Sequence, residues 1–175
     1  MIHVKKAFVI GHPIKHSRSP LIHGSWLAEH GIDGSYEAID VAPDALPAFI
    51  ERLRQGEFVG GNVTIPHKEA VFALCDSVDP LARTIGAANT LVRQPDGRIH
   101  GFNTDYMGFL GNLDQNAPGW AAGLGRAVVL GAGGAARAIL VALREQGVPE
   151  IVLLNRTPEK AAALAREIGG PVIAG

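Results

Sequence analysis

The feature that most constrains this chain is the order of its residues 127–137: Ala127-Val128-Val129-Leu130, then Gly131-Ala132-Gly133-Gly134-Ala135-Ala136-Arg137. An apolar run, a glycine-rich corner and a run of helix formers predict strand, tight turn and helix. Gly131 can take the sharp turn, Gly133 has no side chain to block a pyrophosphate, and Ala136 lets the helix pack close to its strand. The N–H groups at the helix start then face an anion. Such a corner also serves plain helix packing, so its flanks decide. A second apolar strand, Ile151-Val152-Leu153-Leu154, follows the helix and ends in Asn155-Arg156-Thr157, with Asn155 twenty-four residues beyond Gly131. That is the place of a ribose-reading residue in a dinucleotide-binding unit.

An acidic residue there would bind the ribose hydroxyls of NAD and repel a phosphate. The chain carries Asn155 with Arg156 beside it, and a guanidinium suits a 2′-phosphate through paired hydrogen bonds, with Thr157 and Lys160 as further donors. The cofactor expected is therefore NADP, held by Gly131, Ala132, Gly133, Gly134, Ala135, Asn155, Arg156, Thr157 and Lys160. The same residues can cap the following helix, Thr157 before Pro158 being a start signal. Both roles can hold at once.

At 175 residues with a net charge of −1 and interspersed charges, the chain can bury roughly 70% of its unfolded surface and offers no electrostatic footprint for nucleic acid or an anionic membrane. Neither partner is expected. No apolar run approaches the ~18 residues of a membrane span, and residues 1–6 lack a signal-peptide core. The single cysteine, Cys75, allows no internal disulfide, which fits a reducing cytoplasm. No metal site is expected, because no H-E-x-x-H occurs and His12 and His16 share a proline-containing loop.

From the start, Ala7-Phe8-Val9-Ile10-Gly11 predicts a buried strand, and the loop His12-Pro13-Ile14-Lys15-His16-Ser17-Arg18-Ser19-Pro20 precedes a helix over 21–30. Ser19 before Pro20 is the expected N-cap; Ser19, helix N–H groups and Ser17 could converge on a small carboxylate, or Ser19 could cap its own helix only. Residues 35–41 alternate like a strand, 44–54 form an amphipathic helix, and 58–65 form a third strand. Strand, helix, strand, helix, strand implies a mostly parallel sheet, with ligands at the carboxyl ends of its strands. Asn62, Thr64 and Lys68 lie at one such end, Pro66 opening the next helix. Lys68 is either a solvated first-turn lysine, which the helix dipole slightly disfavours, or the group that performs chemistry. Val71 to Asp76 completes the helix that Pro66 opens and 79–85 forms another, followed by a hairpin of residues 87–92 and 99–102 around Pro95-Asp96-Gly97. Antiparallel pairing brings Asn89 towards Asn103-Thr104-Asp105, where Asp105 can cap the helix over 106–113 and still present a carboxylate. The glycine- and alanine-rich loop over 117–125 marks a boundary. Three segments result: 1–104 for substrate and catalysis, 105–125 as connecting helix and linker, and 126–175 as an incomplete NADP-binding domain.

In this order the signals resemble the shikimate dehydrogenase family. The resemblance rests on the loop over 11–20, Asn62-Val63-Thr64-Ile65-Pro66-His67-Lys68, Gly86-Ala87-Ala88-Asn89-Thr90, Asn103-Thr104-Asp105, the glycine corner and Asn155-Arg156-Thr157. It implies that Ser17 and Ser19 hold the shikimate carboxylate, that Asn62, Thr64, Asn89 and Asp105 bind ring hydroxyls, and that Lys68 and Asp105 form the catalytic pair. It further implies an α/β fold in which a substrate domain precedes a Rossmann-type unit. The implied reaction is reversible, NADPH-dependent reduction of 3-dehydroshikimate to shikimate, a step towards aromatic amino acids. The resemblance covers the whole chain but only about two thirds of the family's usual length. A chain of this extent leaves the strand over 127–130 at a sheet edge, which invites pairing with a second copy; it is expected to be inactive or weakly active alone. The rival readings are an NAD-dependent quinate/shikimate dehydrogenase and a non-catalytic fragment that binds shikimate.

Overall fold

The computed structural model describes residues 5–175. The chain divides into two compact units, one running to Ala82 and resuming over Ala88–Phe102, the other made of Arg83–Ala87 and Asn103–Gly175.

The first unit carries a six-stranded sheet. In chain order its elements are β1 (Lys5–Gly11), α1 (Ser19–Glu29), β2 (Gly34–Asp40), a 3-10 turn (Pro43–Ala45), α2 (Leu46–Arg54), β3 (Gly60–Val63), α3 (Lys68–Leu74), β4 (Ser77–Val78), α4 (Pro80–Ile85), β5 (Thr90–Arg93) and β6 (Ile99–Phe102). The strand order is β2-β1-β3-β5-β6-β4. β1 runs parallel to β2 and β3, β4 runs parallel to β6, and β5 is antiparallel to both β3 and β6. The mostly parallel sheet with one hairpin that the sequence predicts is therefore what forms. β4 was not foreseen: two residues are too few for a period to register.

The core grows from α2, whose Leu46, Phe49, Ile50 and Leu53 are buried at helical spacing on one face. Phe49 meets Phe8 of β1 edge-on at 4.9 Å between centroids, and Phe58 closes the cluster 5.2 Å from Phe8. α1 behaves differently and buries none of its residues. Two predicted boundaries move. The helix expected over 21–30 begins at Ser19, with Arg18 at the cap position and no side-chain cap, so Ser19 is not the N-cap. α3 begins at Lys68 rather than at Pro66, which follows a cis peptide bond.

The second unit contains α5 (Asp105–Asn116), β7 (Ala127–Leu130), α6 (Gly134–Glu145), β8 (Ile151–Leu154), α7 (Pro158–Ile168) and β9 (Val172–Ala174). β7, β8 and β9 pair in that order, all parallel. Alternation sorts the side chains by face. Val129, Ile151, Leu153 and Val172 are buried, as are Ala138, Leu140, Val141 and Ala142 of α6 and Ala161, Leu164, Ala165 and Ile168 of α7. On the opposite face Val128 is 56% exposed and Leu130 78%, and among the described residues β7 is an edge. Arg137 of α6 grips the Glu167 carboxylate of α7 with its two terminal guanidinium nitrogens, at 2.6 and 2.8 Å, and this holds the Glu167 carboxyl below its ordinary range.

At Gly61 a Cβ would lie 2.2 Å from the Phe8 carbonyl oxygen, a backbone contact that only a shift of β3 against β1 relieves. Gly61→Ala is expected to cost about 2 kcal/mol or more of stability, read as a lower urea midpoint at unchanged slope. An unchanged midpoint contradicts the packing described.

Candidate functional site

Backbone bonds tie together the carboxyl ends of β1, β2 and β3. The Thr64 N–H donates to the Ile10 carbonyl (2.9 Å), the His12 N–H to Ile65 (3.0 Å) and the Val41 N–H to Gly11 (3.1 Å). His67, buried, donates from Nε2 to the Val41 carbonyl at 2.7 Å. A carbonyl only accepts, so that ring nitrogen carries the proton. The bond fixes the residue just before Lys68. Sequence reasoning passed over His67, since a lone histidine has no spacing to mark it.

The loop after β1 is held from β2. Asp40 Oδ1 lies 2.6 Å from His12 Nδ1, and Oδ2 accepts the Ile14 N–H at 3.2 Å. The bond to His12, before the smaller contributions of the Ile14 N–H and nearby charge, holds the Asp40 carboxyl below its usual range. With Ile14 buried as an anchor, Ser17 sits half-buried and its Oγ accepts the Ser19 N–H at 3.3 Å. That leaves the Ser17 hydroxyl proton to donate elsewhere, while Ser19 opens α1 as its first residue.

Asn62 lies on β3 opposite Thr90 of β5. Asn89, buried just before β5, accepts the Val63 N–H on its carbonyl (2.8 Å) and donates its own N–H to Phe102 (2.9 Å). Lys68 is half-buried at the first position of α3, and its carbonyl accepts the Ala88 N–H at 2.9 Å. Ser17, Ser19, Asn62, Thr64, Lys68 and Asn89 thus all belong to the first unit.

Asp105 belongs to the second. It is not the N-cap of α5 but its first residue, with Thr104 at the cap position. The Asn103 side chain takes the capping work instead: Oδ1 accepts the Asp105 N–H at 3.0 Å, and Nδ2 donates to the Ala87 carbonyl at 2.9 Å.

A cleft of about 700 Å³ opens at the carboxyl ends of β7 and β8. Gly131, Ala132 and Gly133 line one side, Asn155, Arg156, Thr157 and Lys160 the other, with Leu130 and Leu154 beneath. Gly131 holds φ +101°, which disfavours any other residue there. Gly133 differs: a Cβ would meet nothing within 4 Å, so the missing side chain leaves open space rather than relieving a clash. Gly134 and Ala135, also expected at the cofactor, begin α6 behind this lining. Thr157 is the cap residue of α7 but makes no side-chain cap bond, so its hydroxyl is not spent on its helix. Asn155 Nδ2 donates to the Thr157 carbonyl at 2.9 Å and stiffens the turn. Arg156 and Lys160 are exposed, and the lining contains no carboxylate. Such a donor set suits an anion with several oxygens.

Among the described residues no group of three or more His, Cys, Asp or Glu could hold a metal ion, and no helix is long and apolar enough to cross a membrane.

Two family models match the chain: the shikimate dehydrogenase substrate binding domain over residues 9–91, and shikimate / quinate 5-dehydrogenase over residues 121–174. The chain is 59% identical over 170 residues to the shikimate dehydrogenase (NADP(+)) of Mesorhizobium japonicum, covering 97% of this chain and 60% of that one. It is 60% identical over 163 residues to the enzyme of that name from Methylobacterium radiotolerans, covering 91% and 57%. The crystal structure of shikimate 5-dehydrogenase from Thermus thermophilus in complex with NADP(H) and shikimate is similar at a TM-score of 0.82 and 47% identity, over 97% of this chain and 62% of that one. The chain thus spans about 60% of the length of the curated relatives it matches.

A depressed carboxyl stabilises its partners above the unfolded pKa and loses that contribution as pH falls through the folded value. The Asp40 anchor on the loop is therefore expected to be intact at neutral pH and to fail only once pH drops below the ordinary carboxylate value of about 4. The Ile14 amide resonance, followed through an acid titration, should shift in that window. A midpoint above that value would contradict the arrangement.

Proposed function

Because the chain belongs to the shikimate dehydrogenase family, we propose that it supplies the shikimate site and the NADP cleft of an enzyme that interconverts 3-dehydroshikimate and shikimate. The observation that carries the cofactor reading is the cleft with Arg156, Thr157 and Lys160 on one side and no carboxylate in its lining. An acidic residue there would favour NAD; a guanidinium, a hydroxyl and an ammonium favour a 2′-phosphate. Gly131, Ala132 and Gly133, with Gly134 and Ala135 at the start of α6, would take the pyrophosphate, supported by the open space above Gly133.

The first unit would hold the acid. Ser17 and Ser19 would take the carboxylate; Asn62, Thr64, Asn89 and Asp105 would take ring hydroxyls. We assign residues 1–104 to substrate and catalysis and 126–175 to cofactor, with 105–125 connecting them. When bound, NADPH supplies a hydride to the carbonyl carbon. Lys68 donates a proton to the oxygen as its charge develops and takes it back in the reverse direction, and its cation stabilises that charge more in the transition state than in the ground state. Asp105 is assigned to the same step. His67, fixed on the Val41 carbonyl, keeps the start of α3 in place.

Two substitutions test the reading. Arg156→Ala should weaken NADP binding by about tenfold to a hundredfold, the worth of charge-assisted hydrogen bonds, and leave NAD binding unchanged. Equal losses for the two nucleotides would contradict the 2′-phosphate assignment. Lys68→Ala, made in a complete enzyme of this family that carries this sequence, should lower kcat for shikimate oxidation by about a hundredfold or more and change KM far less. Equal effects on both constants, or no effect on either, would remove the catalytic role from Lys68.

A further inference from the structure

Four side chains of the first unit form a hydrogen-bond chain whose directions follow one from another. Tyr36 of β2 reaches across β1 so that its hydroxyl lies 2.6 Å from Asn62 Oδ1. Asn62 Nδ2 lies 3.1 Å from Thr90 Oγ1 and 3.4 Å from the Asn89 carbonyl oxygen. Thr90 Oγ1 lies 3.0 Å from Asn89 Oδ1.

A backbone carbonyl has no proton to give, so the end of the Asn62 amide that faces Asn89 must be the amino end. The oxygen end then faces Tyr36, and the phenol must be the donor. Thr90 accepts from Asn62 Nδ2, which leaves its one hydroxyl proton for Asn89 Oδ1. Asn89 is therefore turned with its oxygen towards Thr90 and its amino group to the other end of the amide. Each orientation is dictated by its neighbour, starting from Tyr36 and the Asn89 carbonyl.

The Tyr36 end is built to stay a donor. Its ring stacks on His23 of α1 at 4.1 Å and 12°, and Trp26 closes edge-on against that imidazole at 5.2 Å. Burial pushes the phenol up to about 12 and pulls the His23 imidazole below its ordinary value, so the hydroxyl keeps its proton and the stack stays uncharged around neutral pH. This gives the otherwise unburied α1 a task in the site.

We propose that Tyr36 and Thr90 are positioning residues that fix the amide orientations of Asn62 and Asn89, and so set which ends of those amides meet the ring hydroxyls of a shikimate-like acid. The inference rests on the reading of Asn62 and Asn89 as hydroxyl-binding groups. Tyr36 and Thr90 act on the ligand only through them. Without the Tyr36 hydroxyl, Asn62 Oδ1 loses its donor and the amide can rotate; without the Thr90 hydroxyl, Asn62 Nδ2 loses an acceptor and Asn89 Oδ1 loses the donor that faces it.

The test uses the full chain labelled with nitrogen-15, in three variants: Tyr36→Phe, Thr90→Val and the conservative Thr90→Ser. Without ligand, the side-chain NH2 resonances of Asn62 should move in Tyr36→Phe, those of both asparagines should move in Thr90→Val, and Thr90→Ser should keep the parent positions. Shikimate titrated into the same samples should bind roughly three- to tenfold more weakly to Tyr36→Phe and Thr90→Val, the effect of one lost hydrogen bond, and normally to Thr90→Ser. Unmoved resonances in both hydroxyl-deleting variants overturn the proposal, as does shikimate binding equal to that of the parent. If the parent chain does not bind shikimate, the reading of the site fails, while the resonances still decide whether Tyr36 and Thr90 orient the two amides.

Discussion

The pairing of β3 with β5 is the constraint on which the first unit's polar surface depends. β1, β2 and β3 are parallel and could be joined by helices alone, but β5 enters antiparallel and places Thr90 directly across from Asn62. Side chains alternate faces along a strand, so a slip of one residue would send Asn62 and Thr90 to opposite faces and break every bond between Tyr36 and Asn89. The same pairing lets the Asn89 carbonyl accept the Val63 N–H and the Asn89 N–H reach Phe102. Register here decides which ends of two amides are available as well as which residues are buried.

The second unit depends on a backbone conformation. Gly131 at φ +101° turns the chain from β7 into the corner, and its N–H donates to the Leu154 carbonyl at 2.7 Å, joining the corner to the end of β8. Asn155, Arg156, Thr157 and Lys160 therefore face the glycine corner across one cleft. The charge on that side comes from Arg156 and Lys160, both exposed, while Thr157 stands at a cap position without capping. A side chain that forgoes a local hydrogen bond is available for a ligand.

The sequence makes the second unit legible almost residue by residue, because apolar run, glycine corner and apolar run are local signals with a fixed period. The hairpin was legible from its Pro95-Asp96-Gly97 turn, and α2 from its amphipathic spacing. Helix starts were not. Ser19 and Asp105 have the chemistry of N-caps, yet α1 begins at Ser19 with no side-chain cap, and Asn103, two residues earlier than expected, serves Asp105. Capping side chains compete with tertiary partners, and a single sequence does not reveal the winner. Tyr36, Thr90 and His67 were missed for a related reason. Their partners lie 26 or 28 residues away on other strands, or, for His67, on a backbone carbonyl 26 residues away, and no short spacing encodes such bonds.

The most direct measurement is a crystal structure of the chain with shikimate bound. The account expects the carboxylate within hydrogen-bond reach of the Ser17 and Ser19 hydroxyls, and the ring hydroxyls on Asn62, Thr64 and Asn89, with one oxygen beside Lys68 Nζ. Shikimate bound away from the carboxyl ends of β1 and β3, or bound there with Lys68 turned from every ring oxygen, would contradict it.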